Sequence, residues 1–185
     1  TQVDSVSRQR RCQWIAVDEH KVGAGTRSDS AEIGIRHHRS GGIHAHAAGF
    51  IDFEPELERL LEEVDADLLK ICFDTGHHSY AGYDPVAFMK RHMDRISYIH
   101  FKDIDPGVKA EVIANRTGFY DACGQGIFCN LGKGDVKFEA AREVLRRKGF
   151  RGWCTVEQDC DPTLNISPLA DARANRDYLT TIGFD

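Results

Sequence analysis

Three apolar stretches of the chain run out on residue types that bind metal ions. Ile71-Cys-Phe-Asp-Thr-Gly-His-His78 passes into Asp74 and a pair of histidines, Ile96-Ser-Tyr-Ile-His-Phe-Lys-Asp103 carries His100 and Lys102, and Trp153-Cys-Thr-Val-Glu-Gln-Asp159 carries Glu157. A fourth, shorter stretch, Gly42-Ile-His-Ala-His46, brings His44 and His46. Two carboxylates with one or two imidazoles make a donor set of mixed oxygen and nitrogen hardness. It suits Mn²⁺, Co²⁺, Fe²⁺, Zn²⁺ or Mg²⁺ rather than a thiolate-preferring metal. Such an ion polarises a ketone and stabilises the enolate left when a neighbouring proton is removed. That step is common to sugar isomerisation, epimerisation and β-elimination.

Each residue alone has a plainer reading. Asp74 after a strand could cap the next turn, His100 could be a satisfied core histidine, and Glu157 at a strand end is uninformative. Their recurrence in successive units favours a site. His44 is the candidate fourth ligand, although His37, His38, His44 and His46 could equally form an incidental cluster. His46 would then contact substrate or support a ligand, and His77, three residues after Asp74, would meet a substrate hydroxyl rather than the metal. Lys102 shares a strand face with His100, so it could bind a substrate oxygen or move a proton, or simply be a surface lysine.

The elements needed to hold these residues are legible from residue 42 onward. Leu57, Leu60, Leu61 and Val64 stripe one face of a helix with Pro55 in its first turn. Asp84-Pro85 and Ser167-Pro168 read as a cap followed by the first helical residue, and Asp135 reads as the cap of a helix striped by Phe138, Ala141, Val144 and Leu145 and ended by Gly149. Residues 74–83 read as a loop, and 102–133 as a long connection without a strong period. Strands alternating with helices imply a parallel sheet whose working residues gather at the strands' C-terminal ends. His44, Asp74, His100 and Glu157 fall there.

At 185 residues and 41% apolar, the chain can bury a real core. A net charge of −5 argues against a nucleic-acid partner, and no run of residues is apolar enough for a membrane span. The six cysteines have no CxxC spacing, and the first eleven residues are polar with no signal-peptide pattern, so a cytoplasmic protein with reduced thiols is expected. Residues 1–41 form a polar segment for which no strand and helix order can be drawn, expected to be poorly structured, and 42–185 form the folded part.

Residues 44–52 (His44-Ala-His-Ala-Ala-Gly-Phe-Ile-Asp52), Phe73-Asp-Thr-Gly-His77 with Tyr80-Ala-Gly-Tyr-Asp-Pro85, His100-Phe-Lys-Asp103, Gly132-Lys-Gly134 and Val156-Glu-Gln-Asp159 together resemble the inosose dehydratase family of the xylose-isomerase-like TIM barrel superfamily. The resemblance implies an α/β fold of (β/α) TIM-barrel type. Only the second half of the barrel is covered, about four βα units, since a complete barrel takes about 250 residues. It implies a divalent metal, commonly manganese or cobalt, on Asp74, His100 and Glu157, with His44 where the superfamily usually has a glutamate. The implied reaction belongs to inositol catabolism: dehydration of a ketocyclitol, 2-keto-myo-inositol, with Glu157 taking the α-proton and Lys102 or His77 assisting departure of the β-hydroxyl. The loop with Arg116 would overhang the site and touch substrate. A polyol or keto-sugar isomerase or epimerase is the alternative within the superfamily, and an inactive half barrel the alternative outside enzymes. A half barrel also leaves two sheet edges open, which a homodimer would cover.

Overall fold

The computed structural model describes residues 41–161, 163 and 167–184. Of the segment 1–41 expected to be poorly structured, residues 1–40 lie outside them, and Gly41 already belongs to the first strand. Four strands form one parallel sheet in the order β1 (Gly41–His44), β2 (Leu69–Asp74), β3 (Ile96–Phe101) and β6 (Trp153–Val156). Between them run α1 (Glu54–Glu63), α2 (Thr75–Tyr80), α3 (Pro85–His92) and α6 (Phe138–Lys148), and α7 (Pro168–Thr181) follows β6. Parallel neighbours require such crossovers, because a hairpin can join only antiparallel strands.

Alternation along the strands divides the sheet into two chemical faces. Ile71, Phe73, Ile99, Phe101 and Val156 turn to one side and are buried with Leu57 and Leu61 of α1, Phe88 and Met89 of α3, Phe138 and Leu145 of α6 and Leu179 of α7. The intervening residues, His44, Cys72, Asp74, Tyr98, His100 and Thr155, have the opposite parity. Strand register sets them side by side: His44 opposite Cys72, Asp74 opposite His100, and His100 opposite Thr155. Among the described residues β1 and β6 are the sheet's edges, each paired on one side.

Helix starts follow the side-chain chemistry. Asp84 accepts hydrogen bonds from the amides of Val86 and Ala87, and Pro85 opens α3. In α1 the Glu56 carboxylate accepts from the Asp52 and Phe53 amides. Ser167 precedes α7 without a side-chain cap bond. The cap expected at Asp135 is instead Lys137, whose side chain makes no cap bond.

Two further expectations change. Residues 75–80, read as loop, form α2, because Asp74 supplies the cap that nucleates a short turn of helix. The supposedly aperiodic 102–133 segment contains β4 (Asp103–Ile104), α4 (Pro106–Asn115), α5 (Phe119–Gly124) and β5 (Phe128–Cys129), with β4 and β5 antiparallel. It has its own small core of Ile104, Val112, Ala122, Cys123, Ile127 and Phe128. The Asp105-Pro106 pair that starts α4, its carboxylate accepting from Gly107 and Val108, is the same signal as Asp84-Pro85. Asp103 ties this excursion down: fully buried, it accepts from the amides of Ile104, Gly132, Gly134 and Val136 at 2.9–3.0 Å.

Candidate metal centre

Asp74 divides its two carboxylate oxygens between a helix cap and the side-chain cluster. Its Oδ1 accepts from the amides of Gly76 and His77 at 2.8 and 2.9 Å and so caps α2. Its Oδ2 has no hydrogen-bond partner and faces Lys102 Nζ at 3.3 Å, His100 Nδ1 at 3.5 Å, His44 Nε2 at 3.8 Å and His77 Nε2 at 3.9 Å. Burial alone would raise this carboxyl, but Lys102 and the surrounding imidazoles hold it well below the usual carboxylate range.

Glu157 arrives from the other side of β3. Its amide donates to the Phe101 carbonyl, extending the ladder between β6 and β3 by one residue. The carboxylate thereby lies over His100, Oε2 being 2.5 Å from Nδ1 but out of line for a hydrogen bond. Burial works against its charge, yet His100 and Lys102 keep it below its ordinary value. His100 moves the other way: burial opposes its protonation, but Asp74, Cys72 and Glu157 raise it to about 12. One ligand atom from each of His44, Asp74, His100 and Glu157 lies within 4.8 Å of all the others. These four predicted positions are brought together by strand register. Their inward atoms, His44 Nε2, Asp74 Oδ2, His100 Nδ1 and both Glu157 oxygens, are buried without hydrogen-bond partners.

Lys102 is no surface lysine. It is fully buried, with Nζ 3.0 Å from Asp159 Oδ2, 2.9 Å from His77 Nε2 and 3.9 Å from Glu157 Oε2, and it lies 4.8 Å from the centre of the Phe128 ring. Burial disfavours the ammonium, but Asp74, Asp159 and Glu157 raise its pKa further than burial lowers it. An ammonium only donates, so His77 Nε2 accepts and the proton of the neutral ring is on Nδ1. Neutrality fits the strong depression of His77 by burial and by Lys102, which outweigh Asp74. The Nδ1–H is itself buried and has no partner.

The His46 ring lies against His77, the ring centres 3.7 Å apart and the planes tilted by 41°, and its Nδ1 lies 2.6 Å from the Ala47 carbonyl. His46, His77 and Asp159 also converge. Lys102 Nζ bonds two of the three, so lysine itself supplies the cation there. Arg116 is not brought to the cluster: it is exposed and ends α4 in the left-handed conformation at φ 52°. The ring of Phe119, three residues on, makes the loop's contacts instead, to His46 and His77. Asp159 and Phe119 are the positions sequence reading did not single out as site residues. Asp159 stands two residues after Glu157, with the strand parity that returns a side chain to the same face, and that signal was available.

A model of the xylose isomerase-like TIM barrel family matches residues 31–182. Inosose dehydratase of Geobacillus kaustophilus is 34% identical over 136 residues, covering 74% of this chain and 44% of that protein. Inosose dehydratase of Mesomycoplasma hyopneumoniae is 33% identical over 164 residues, covering 88% and 52%. The chain thus spans about half the length of the curated relatives it matches. Among solved structures, the probable 3-DHS dehydratase AsbF of Bacillus anthracis aligns with TM-score 0.58 at 21% identity, over 80% of this chain and 52% of that one. The IOLI protein, solved with a zinc atom, aligns with TM-score 0.58 at 14% identity, over 82% and 51%. With a parallel sheet flanked by helices, and a family match across most of its length, the chain belongs to the xylose isomerase-like TIM barrel family.

Proposed function

We propose that this chain carries the metal-holding part of a dehydratase site that removes water from a ketocyclitol such as 2-keto-myo-inositol. The observation behind the reading is the set of buried, partnerless atoms of His44, Asp74, His100 and Glu157 facing one another. Buried polar atoms without partners cost free energy that a bound cation would recover. The mixed oxygen and nitrogen donors fit a divalent ion of the Mn²⁺ or Co²⁺ kind, with Mg²⁺, Zn²⁺ and Fe²⁺ of suitable hardness as well. When bound, the ion supplies Lewis acidity that polarises the substrate carbonyl. The named inosose dehydratases among the relatives support the substrate class.

In this reading Glu157 takes the α-proton: the C–H bond breaks, an O–H bond forms on the carboxylate, and the electron pair enters the enolate. The electron pair then expels the β-hydroxyl, which accepts a proton from the Lys102 ammonium and leaves as water. The proton held by Glu157 returns Lys102 to its starting state, so the balance is one water lost. His77 offers its free Nδ1–H to a substrate hydroxyl, and His46, packed against it, lines the same wall. Phe119 and Phe128, packed against His77, limit the access of water. The substrate is a small polyol or keto-sugar, a second copy of the chain pairs as a homodimer at β1 and β6, the edges of the sheet among the described residues, and the setting is cytoplasmic.

Purified protein supplied with Mn²⁺ and 2-keto-myo-inositol should develop enone-type ultraviolet absorbance and a product lighter by one water, and Asp74→Ala should not. Equal activity in Asp74→Ala would refute the site. An isomer of unchanged mass would move the reading to an isomerase or epimerase, and absence of both metal and turnover would favour an inactive half barrel.

A further inference from the structure

His100 presents a different donor environment to each of its ring nitrogens. Nδ1 faces the carboxylates, Asp74 Oδ2 at 3.5 Å and Glu157 Oε2 at 2.5 Å. Nε2 faces a sulfur instead, Cys72 Sγ at 3.5 Å. Cys72 has the same strand parity as Asp74 and lies opposite His44 in the register between β1 and β2. Three side chains from three adjacent strands thus meet on the face that also carries the carboxylates. His44, Cys72 and His100 each place a ligand atom within 4.8 Å of the other two.

The Cys72–His100 edge suits a tetrahedral ion. With bonds of about 2.3 Å to sulfur and about 2.05 Å to nitrogen, the sulfur–nitrogen edge of a tetrahedral site is about 3.6 Å. The observed separation of 3.5 Å is already that edge. A thiol–imidazole hydrogen bond would account for this one contact. It does not account for His44, which also brings a ligand atom within 4.8 Å of those of Cys72 and His100.

We propose that His44, Cys72 and His100 form a second metal site, specific for a thiophilic d¹⁰ cation such as Zn²⁺, Cd²⁺ or Cu⁺. A thiolate with two imidazoles is a softer set than two carboxylates with two imidazoles. Binding converts the Cys72 S–H to a metal thiolate and frees His100 Nε2 of its proton, both protons passing to solvent while Nδ1–H stays turned to the carboxylates. Because His44 belongs to both sets, a soft ion in the thiolate site withdraws a ligand from the carboxylate site and competes with Mn²⁺ or Co²⁺ there. The inference shares ligands with the proposed dehydratase centre, but it does not depend on that centre being active.

The test uses Cd²⁺ and the full chain. Titration should produce a saturable ultraviolet thiolate-to-cadmium charge-transfer band, abolished in Cys72→Ser and retained in Asp74→Asn, which keeps the α2 cap. Loss of Mn²⁺ binding in Asp74→Asn, followed by electron paramagnetic resonance, would report separately on the carboxylate site. In unmutated protein, Cd²⁺ at about ten times its Kd occupies about nine-tenths of the sites, so alkylation of Cys72 by iodoacetamide, read by peptide mass spectrometry, should slow about tenfold. No band, a band undiminished in Cys72→Ser, a band lost in Asp74→Asn, or an unchanged alkylation rate at Cys72 would each overturn the proposal. The alkylation measurement decides the matter even if Cys72→Ser does not fold.

Discussion

Replacing Lys102 by Met, which keeps an unbranched stem and removes the charge, should strongly destabilise the metal-free chain. Nζ lies 3.0 Å from Asp159, 3.3 Å from Asp74 and 3.9 Å from Glu157. At an effective dielectric constant of about 20, each of these attractions is worth about 4–6 kcal/mol. The desolvation cost of a buried ammonium cancels much of that sum, and removing one partner from a buried ionic cluster has a net cost of about 3–5 kcal/mol. With a urea m-value of about 2 kcal/mol/M, the unfolding midpoint should fall by about 2 M. The variant also leaves three neighbouring carboxylates without their ammonium, so Mn²⁺ should raise its midpoint more than it raises that of the parent. A midpoint within about 0.3 M of the parent, on the same m-value scale, together with an equal Mn²⁺ effect, would refute the picture of Lys102 as the internal counter-charge.

Gly76→Ala should reproduce part of this loss, because a Cβ there would come within 2.7 Å of Lys102 Cβ and push the lysine stem aside; an alanine variant with parental stability and an unchanged metal response would contradict that packing. Asp103→Asn turns an amide N–H₂ toward two of the four backbone donors now satisfied, at about 1–3 kcal/mol for each donor stranded. Hydrogen exchange at Gly132, Gly134 and Val136 should accelerate, and unchanged protection would mean that the carboxylate is not what holds the segment. His78 is held below its ordinary value by burial, although Glu54 at 2.8 Å pulls it up. The unfolded chain therefore binds the extra proton first, and stability falls as pH drops below about 6.5. His78→Gln should flatten that part of the stability profile in denaturant titrations between pH 7 and 5, and an identical slope would exclude His78 as a source.

How much of this was legible in the sequence differs by element. α1, α3 and α6 were plain because their apolar stripes face a single core and their starts or stops carry Pro55, Asp84-Pro85 and Gly149. The 102–133 excursion was obscure because its helices are short and pack into a separate small cluster, so no long stripe develops. Asp135 illustrates a different failure: Lys137 takes the cap position without side-chain help, since the chain's return is already fixed by Asp103 bonding Gly134 and Val136. That tie crosses about thirty residues and has no local signature.

The sequence by itself determined which side chains share one rim. Apolar strands that end in Asp74, His100 and Glu157 must deliver those side chains to one rim, because parallel strands share a direction and alternation fixes the face. Tertiary structure alone decided the division of labour among them. It gave Asp74 one oxygen for the α2 cap and one for the site, turned Lys102 inward against Asp159, fifty-seven residues away, and set Cys72 behind His100. Periodicity specifies the face a side chain occupies, whereas its partner depends on strand order, register and burial, which are properties of the assembled sheet.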